Sequence, residues 1–444
     1  MPRLVSLVVL FVLIARLTPV SAQVQEDRRT KVLNDKKLIE ASGFWIYNDL
    51  PKAMREAERT KRPVLAVLRC IPCEACHEFD ESVVERDPKI RDLLTQFVCV
   101  RIPQTNGLDL SKFQIDFDMS FGVMYLNEDG KLLGRFGTRT GRENEQDDMQ
   151  LEGFAESMTR ALELHKTLTP DSKWPAAKQG PPSEVAKPEE YPSLKGKYTD
   201  KLDYEGKVVQ SCIHCHQIRE AQRLEYRLSN QPVPDALLFP WPALSVIGVK
   251  CDPKTASTVE SVAAGSIAAK AGVQPGDRLL AMQGQPLVSV ADAQWVLQQT
   301  GDHGKIDVQV ERQGKTVAAT LDLPSGWRKA SDISWRTTSW DLRRMAFGGM
   351  LLEPLPDEDR AANTLPADKL ALKIKHVGEY GEHARAKKAG LMKGDIIVGY
   401  DGRSDFRTET DLLAYAMQQK KRGDKVAIEV LRGGERKTMT VELQ

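Results

Sequence analysis

AAKAGVQPGDRLLAMQGQPL at residues 268–287 and ARAKKAGLMKGDIIVGYDGR at residues 384–403 are two renderings of one pattern. Each places a helix ending in Ala-Gly, a three-residue step, a Gly-Asp pair, an apolar strand and a Gly-containing turn. The fixed points are Ala271-Gly272 with Gly276-Asp277, and Ala389-Gly390 with Gly394-Asp395. A second helix is predicted after each copy, near 291–299 and 409–419. Each copy then ends in a hairpin, DVQVERQGKTVAATLDL at 307–323 and KVAIEVLRGGERKTMTVEL at 425–443. Self-similarity of this kind marks a repeated supersecondary unit. The C-terminal part therefore reads as two small β-rich domains of the same fold.

The repeat resembles the PDZ domains of HtrA/Deg-type exported proteins, over residues 243–325 and 340–444. The resemblance implies binding of an extended peptide as an added strand, with backbone N–H groups of an apolar-Gly-apolar loop receiving the terminal carboxylate. Ile247, Gly248 and Val249 form that loop in the first copy; Phe347, Gly348 and Gly349, followed by Met350, are the candidates in the second. The implied partners are protein or peptide C-termini. A long insert at 353–370 makes the second copy the better candidate for a spacer with a closed groove. No Gly-x-Ser-Gly nucleophile motif lies upstream, so the resemblance carries a peptide-binding module and not a serine protease.

Working outward, a chain of 444 residues has room for roughly three domains of average size. Its 63 basic and 62 acidic residues leave a net charge of +1, which gives no electrostatic case for nucleic acid. The first residues combine Arg3, an apolar run over residues 4–15 and the small-residue site Val20-Ser21-Ala22, the pattern of a secretory signal peptide at 1–22. The run is shorter than the roughly 20 residues a bilayer span needs, and Arg16 interrupts it. No Cys follows the cleavage site to carry a lipid. The expectation is a periplasmic or otherwise extracytoplasmic protein with no stable membrane span after cleavage. Seven cysteines in such a compartment are informative, because disulfides persist there. Cys70, Cys73 and Cys76 form one cluster and Cys212 and Cys215 another, while Cys99 and Cys251 stand alone. Cys99 on a predicted core strand reads as a small buried hydrophobe, and Cys251 as structural.

Residues 43–166 alternate helix, strand, helix, strand and hairpin. LPKAMREAERTKR at 50–62 is helical after Asn48-Asp49, 63–68 is a strand, and the first cysteine cluster opens a second helix running through Leu93. A strand at 97–102 follows, then strands at 123–126 and 131–136 flanking Asn127-Glu128-Asp129-Gly130, then a closing helix at 151–165. This is an α/β domain with parallel and antiparallel pairing. It resembles a thioredoxin fold, with Cys70-Ile71-Pro72-Cys73 where that fold holds its redox pair. A thiolate at a helix start is stabilised by unpaired N–H groups and the positive end of the helix dipole. The resemblance makes Cys70 the attacking sulfur and Cys73 the resolving thiol. Two departures stand out. Met119-Ser120-Phe121-Gly122 occupies the stretch where thioredoxins keep a cis-proline, and Cys76 competes as a partner for Cys73. A static disulfide or a metal-holding cluster is the other reading.

Six prolines between 170 and 192 mark residues 167–203 as a semi-extended linker. The segment 204–242 carries Cys212-Ile213-His214-Cys215-His216 on a helix predicted to end before Asn230. C-x-x-C-H is the pattern of covalent c-type haem attachment, with Cys212 and Cys215 bonding the vinyl groups and His216 as iron ligand. Zinc held by the same sulfurs and an imidazole, or a plain disulfide, are the alternatives. The fold class is thus multidomain α/β plus β-rich: a thioredoxin-like domain, a short helical C-x-x-C-H insert and two PDZ-like domains. That order resembles a group of exported bacterial thioredoxin/PDZ proteins, some of which carry selenocysteine. The resemblance implies a thiol-disulfide oxidoreductase or haem redox protein targeted by its PDZ domains. The alternative is a non-enzymatic scaffold with structural cysteines.

Overall fold

The computed structural model describes residues 27–69, 71, 88–119, 121–141 and 148–444. The expected signal peptide at 1–22 and the expected redox pair, Cys70 and Cys73, lie outside the described residues. Among the described residues no helix is long and apolar enough to cross a membrane.

The N-terminal unit runs α1 (Arg28–Ser42), β1 (Ile46–Tyr47), α2 (Leu50–Thr60), β2 (Val64–Arg69), α3 (Pro88–Leu94), β3 (Val98–Ile102), β4 (Phe121–Leu126), β5 (Leu132–Phe136) and α4 (Leu151–Thr167). Its sheet has the order β1-β3-β2-β4-β5. β1, β3 and β2 are parallel, and β4 and β5 are antiparallel additions. All six residues of β2 are buried, as expected for a strand covered on both faces. Side-chain alternation sorts them: Val64, Ala66 and Leu68 join the layer of Ala53 and Ala57 from α2, while Leu65 and Val67 join Cys99, Phe154 and Met158 on the other face. Asp49 caps α2 by accepting from the Lys52 N–H at 2.8 Å. α1 is an addition to the sequence reading. Asp27 caps it through Thr30, and Val32 and Ile39 are its buried anchors.

Residues 167–203 contain little regular structure, in keeping with their prolines, but they pack along the N-terminal unit. The Gly180 N–H donates to Gln114 Oε1 at 2.7 Å and the Ser183 N–H to Ser111 Oγ at 3.0 Å. Tyr191 and Leu194 are buried in the α2 layer, joined there by Ile213, Ile218 and Ala221 around and within α5 (Cys215–Leu228).

The first repeat copy contains β6 (Val249–Cys251), β7 (Val259–Val262), α6 (Ile267–Lys270), β8 (Arg278–Met282), β9 (Gln285–Pro286), α7 (Val290–Gln299), β10 (Gly304–Arg312) and β11 (Lys315–Leu323). The second contains α8 (Ser339–Phe347), β12 (Met350–Pro354), β13 (Leu372–Val377), α9 (Arg385–Lys388), β14 (Ile396–Tyr400), α10 (Glu409–Gln419), β15 (Lys425–Arg432) and β16 (Glu435–Glu442), with sheet order β12-β13-β14-β15-β16. The repeated Gly-Asp now has a physical reason. Asp277 accepts a forked pair from Arg312 at 2.7 Å, and the same guanidinium donates to the Gly272 carbonyl. Asp395, Arg432 and Gly390 repeat the arrangement. Gly272 and Gly390 sit at φ of 82° and 92°, where a side chain would be strained.

The three units are packed together. Val288 of the first copy belongs to the core of the N-terminal sheet, and a Cβ added to Gly134 of β5 would lie 2.3 Å from Val288 Cγ2. Beside it, Asp292 of α7 is buried against Lys178 Nζ at 2.7 Å and the Arg135 guanidinium at 3.6 Å. Burial pushes the Lys178 ammonium down to about 8, against the pull of Asp292.

Candidate functional site

The loop that leaves β3 holds the C-x-x-C-H segment through backbone atoms. Thr105 Oγ1 donates to the Ile213 carbonyl at 2.7 Å, and Asn106 Oδ1 accepts from the Ile213 N–H at 2.7 Å. Asn106 Nδ2 donates to the carbonyls of Ser211 and Thr199 at 3.0 and 2.7 Å. The segment therefore sits at the carboxyl ends of the parallel strands β2 and β3, the end at which open α/β sheets place their ligands. Arg69, the last residue of β2, lines a small cavity together with Gln104, Thr105, Cys212 and Cys215. Ile71 packs against Val32 and Val208. Both described neighbours of Cys70 thus touch the segment or its approach.

Cys215 is the first residue of α5 and is half-buried; the His214 N–H donates to Gln217 Oε1 at 2.8 Å. Cys212 is buried, its thiol donating to the Ile213 carbonyl at 3.6 Å. Burial, together with the neighbouring Cys215, pushes that thiol up to about 12. The His214 and His216 rings stack 5.7 Å apart, and His216 Nδ1 is 2.9 Å from Glu220 Oε1. Burial and the adjacent His216 lower the His214 pKa.

These residues do not fit a haem as they stand. The cavity beside the two sulfurs is about 10 Å³, room for one water, whereas small-molecule pockets run to roughly 300–1,000 Å³. Nor, among the described residues, does any group of three or more His, Cys, Asp or Glu side chains stand ready to hold a metal ion. Cys99 and Cys251 are buried or nearly so, and burial raises both thiols, the second to about 12.

The expected carboxylate loops are found at turns closed by their own chain. In the first copy Gly248 has φ of 86° and its N–H donates to the Ser245 carbonyl at 2.9 Å, between the buried Ile247 and Val249. In the second, Phe347 ends α8, and the N–H groups of Gly348 and Gly349 donate to the carbonyls of Arg344 and Arg343 at 3.2 and 3.0 Å. β12, which follows this loop, is an edge strand of its sheet, with one side open to pairing. Its Leu352 N–H donates instead to Glu409 Oε1 at 2.8 Å, and Glu409 is clasped by the fully buried Arg343. The elements at this edge are α8 and α10. The 353–370 insert, on which the sequence reading placed the closure, supplies neither residue.

A buried ionic cluster, which the sequence reading did not single out, ties the N-terminal unit and α5 to the stretch between the repeat copies. Arg336, between the repeat copies, reaches Asp116 at 2.8 Å and Asp118 at 3.1 Å and donates to the Pro240 carbonyl. Thr338 donates its N–H to Asp118 at 2.9 Å, and Arg223 of α5 donates to Thr338 Oγ1 at 2.8 Å. Burial raises the Asp116 pKa. Asp118 is held low: burial opposes its charge, and the arginines outweigh it.

Comparison with known proteins agrees with this division. A thioredoxin-like family model matches residues 45–127, and two PDZ-domain models match residues 258–312 and 382–443. A probable periplasmic serine endoprotease, DegP-like, of Pseudomonas fluorescens is 28% identical over 177 residues, covering 40% of this chain; the chain spans 35% of that relative's length. Among solved structures, a disulphide isomerase from Xylella fastidiosa Temecula1 is 23% identical with a TM-score of 0.22, covering 26% of this chain and 88% of its own. The HtrA-type protease AlgW with a decapeptide is 18% identical with a TM-score of 0.20, covering 31% and 48%.

Proposed function

We propose that this chain, a thioredoxin-like domain followed by two PDZ domains, is an exported thiol-disulfide redox protein whose PDZ domains bring it to protein partners. The observation that carries the reading is that β2, whose last residue directly precedes Cys70 in sequence, ends at the cavity lined by Cys212 and Cys215. Cys70 follows Arg69 by one peptide bond, and Arg69 lines the same cavity as Cys212 and Cys215. Cys70 as thiolate attacks one sulfur of a substrate disulfide, and the other sulfur leaves as a thiolate. Cys73 then attacks Cys70 of the mixed disulfide, releasing the reduced substrate and leaving the pair oxidised. Export is supported by the leader pattern at 1–22 and is compatible with a periplasmic relative.

Turnover of a model protein disulfide with a dithiol reductant tests this. Cys70→Ser is expected to abolish it, and equal rates for variant and wild type would leave a scaffold with structural cysteines as the better description. A visible spectrum of natively exported protein tests the haem assignment at Cys212, Cys215 and His216 separately.

A further inference from the structure

We infer that the open edge of β1 and the cationic face of α2 form a docking groove for an extended acidic segment of a partner protein. The inference is independent of the thiol-disulfide reading and of both PDZ domains.

The groove has a volume of about 880 Å³ and is lined by residues 43–47, by one face of α2 and by Phe97, Val98 and Cys99 where β3 begins. Three observations point to its occupant. First, one strand edge is unpaired. β1 is the outermost strand of its sheet, and the Asn48 N–H beyond it donates to the Arg101 carbonyl of β3 at 2.8 Å. By alternation the N–H and C=O of Tyr47 face the other way, and among the described residues neither has a hydrogen-bond partner. An edge of this kind is a template for one more strand.

Second, the free charge beside that edge has one sign. Lys52, Arg55 and Arg59 recur at i, i+3 and i+7, so they share a face of α2, and all three are exposed in the groove. The carboxylates that line it are already engaged: Glu40 by Lys36 at 2.9 Å, Asp49 by the Lys52 N–H at 2.8 Å and Glu56 by Arg59 at 2.6 Å. Among the described residues Lys52 and Arg55 have no carboxylate partner. Charges of one sign admit an acidic strand and turn away a basic one.

Third, the dimensions agree. The helix rises about 10.5 Å from Lys52 to Arg59, and residues two apart in a strand lie about 6.7 Å from each other. Acidic side chains at i and i+2 of an added strand therefore both fall within the cationic stripe. Phe44, 40% exposed in the same groove, offers apolar contact to the rest of the segment. A second copy of this chain suits the groove less well, because β1 against β1 would bring two sets of Lys52, Arg55 and Arg59 to one seam.

The test is fluorescence anisotropy of the full-length protein with a labelled Val-Asp-Val-Glu-Val-Asp peptide. Its C-terminus is amidated, so neither PDZ domain can take a terminal carboxylate. Binding is expected and should weaken as salt rises. Lys52→Glu/Arg55→Glu should weaken it by about tenfold or more, with the melting midpoint unchanged because both positions are exposed. The same peptide N-methylated at alternate residues keeps its charge but cannot pair as a strand, and it should not bind. Failure of the unmodified peptide to bind, or equal binding by the N-methylated peptide, would overturn the inference. A dimer of the unliganded protein that the double variant disrupts would give the groove to a second copy and overturn it as well.

Discussion

Arg343 and Glu409, 66 residues apart, close a fork of 2.9 and 2.5 Å in the interior of the second PDZ domain, and Glu409 spends its remaining capacity on the Leu352 N–H of the edge strand. A backbone donor of an edge strand is thus already engaged by a side chain of the same domain.

Breaking this fork from one side leaves a buried charge alone, at a cost of about 3–5 kcal/mol. Arg343→Ala is therefore expected to lower the thermal midpoint of the protein markedly. Glu409→Gln keeps the shape and is expected to cost less while loosening the Leu352 N–H. Fluorescence anisotropy with labelled C-terminal peptides should then show tighter binding to Glu409→Gln than to wild type; equal or weaker binding would mean that this edge is not a peptide site.

Arg336 is the common partner of Asp116 and Asp118, all three buried. Arg336→Ala strands two carboxylates and is expected to destabilise the docking of the second PDZ domain by a comparable amount, about 3–5 kcal/mol. Limited proteolysis should reveal new cuts in the 325–340 stretch, and scattering should show a larger radius of gyration. Unchanged digestion would show that the cluster does not hold the units together.

Gly134 is required by closeness to Val288, because its added Cβ would fall 2.3 Å from the Val288 side chain. Gly134→Ala should cost about 1–3 kcal/mol through overpacking. Val288→Ala in the same chain should recover part of that loss, and denaturant melts of the four members of the cycle would display the coupling. Strict additivity would contradict the contact.

Asp277 supplies a pH dependence. Burial works against its charge, but the Arg312 fork and the Gln274 N–H hold its pKa below the usual value. A depressed folded pKa means stability that is fully present above the unfolded value, about 4, and is lost as pH falls through the folded one. The stability gap between wild type and Asp277→Asn should be flat from neutral pH down to about 5 and shrink below about 4. A gap that widens in acid would reverse the sign argued here.

Much of this architecture was legible in the sequence because it is local. The apolar strand at 63–68, the Asn127–Gly130 turn and the turn at the repeated Gly-Asp each follow from short-range geometry, and all stand in the structure. What the sequence could not display depends on long-range pairing. Nothing near Glu409 announces that its carboxylate will meet Leu352, and nothing near Asp116 points to Arg336, 220 residues on. The proline-rich stretch predicts little helix but is silent on whether it packs; Tyr191 and Leu194, apolar amid charge, were its signal. The cysteine spacing at 212–216 suits several chemistries, and spacing alone says nothing of the water-sized space that lies beside the two sulfurs.

Val288 and Asp292 carry a lesson about heredity. Each belongs by sequence to the first PDZ domain, yet one finishes the packing of its neighbour's sheet and the other neutralises Lys178 from the stretch between them. A PDZ domain lifted from another gene and spliced in at this place would arrive without either fitting, so these modules are expected to have been inherited and altered as a set rather than shuffled like beads.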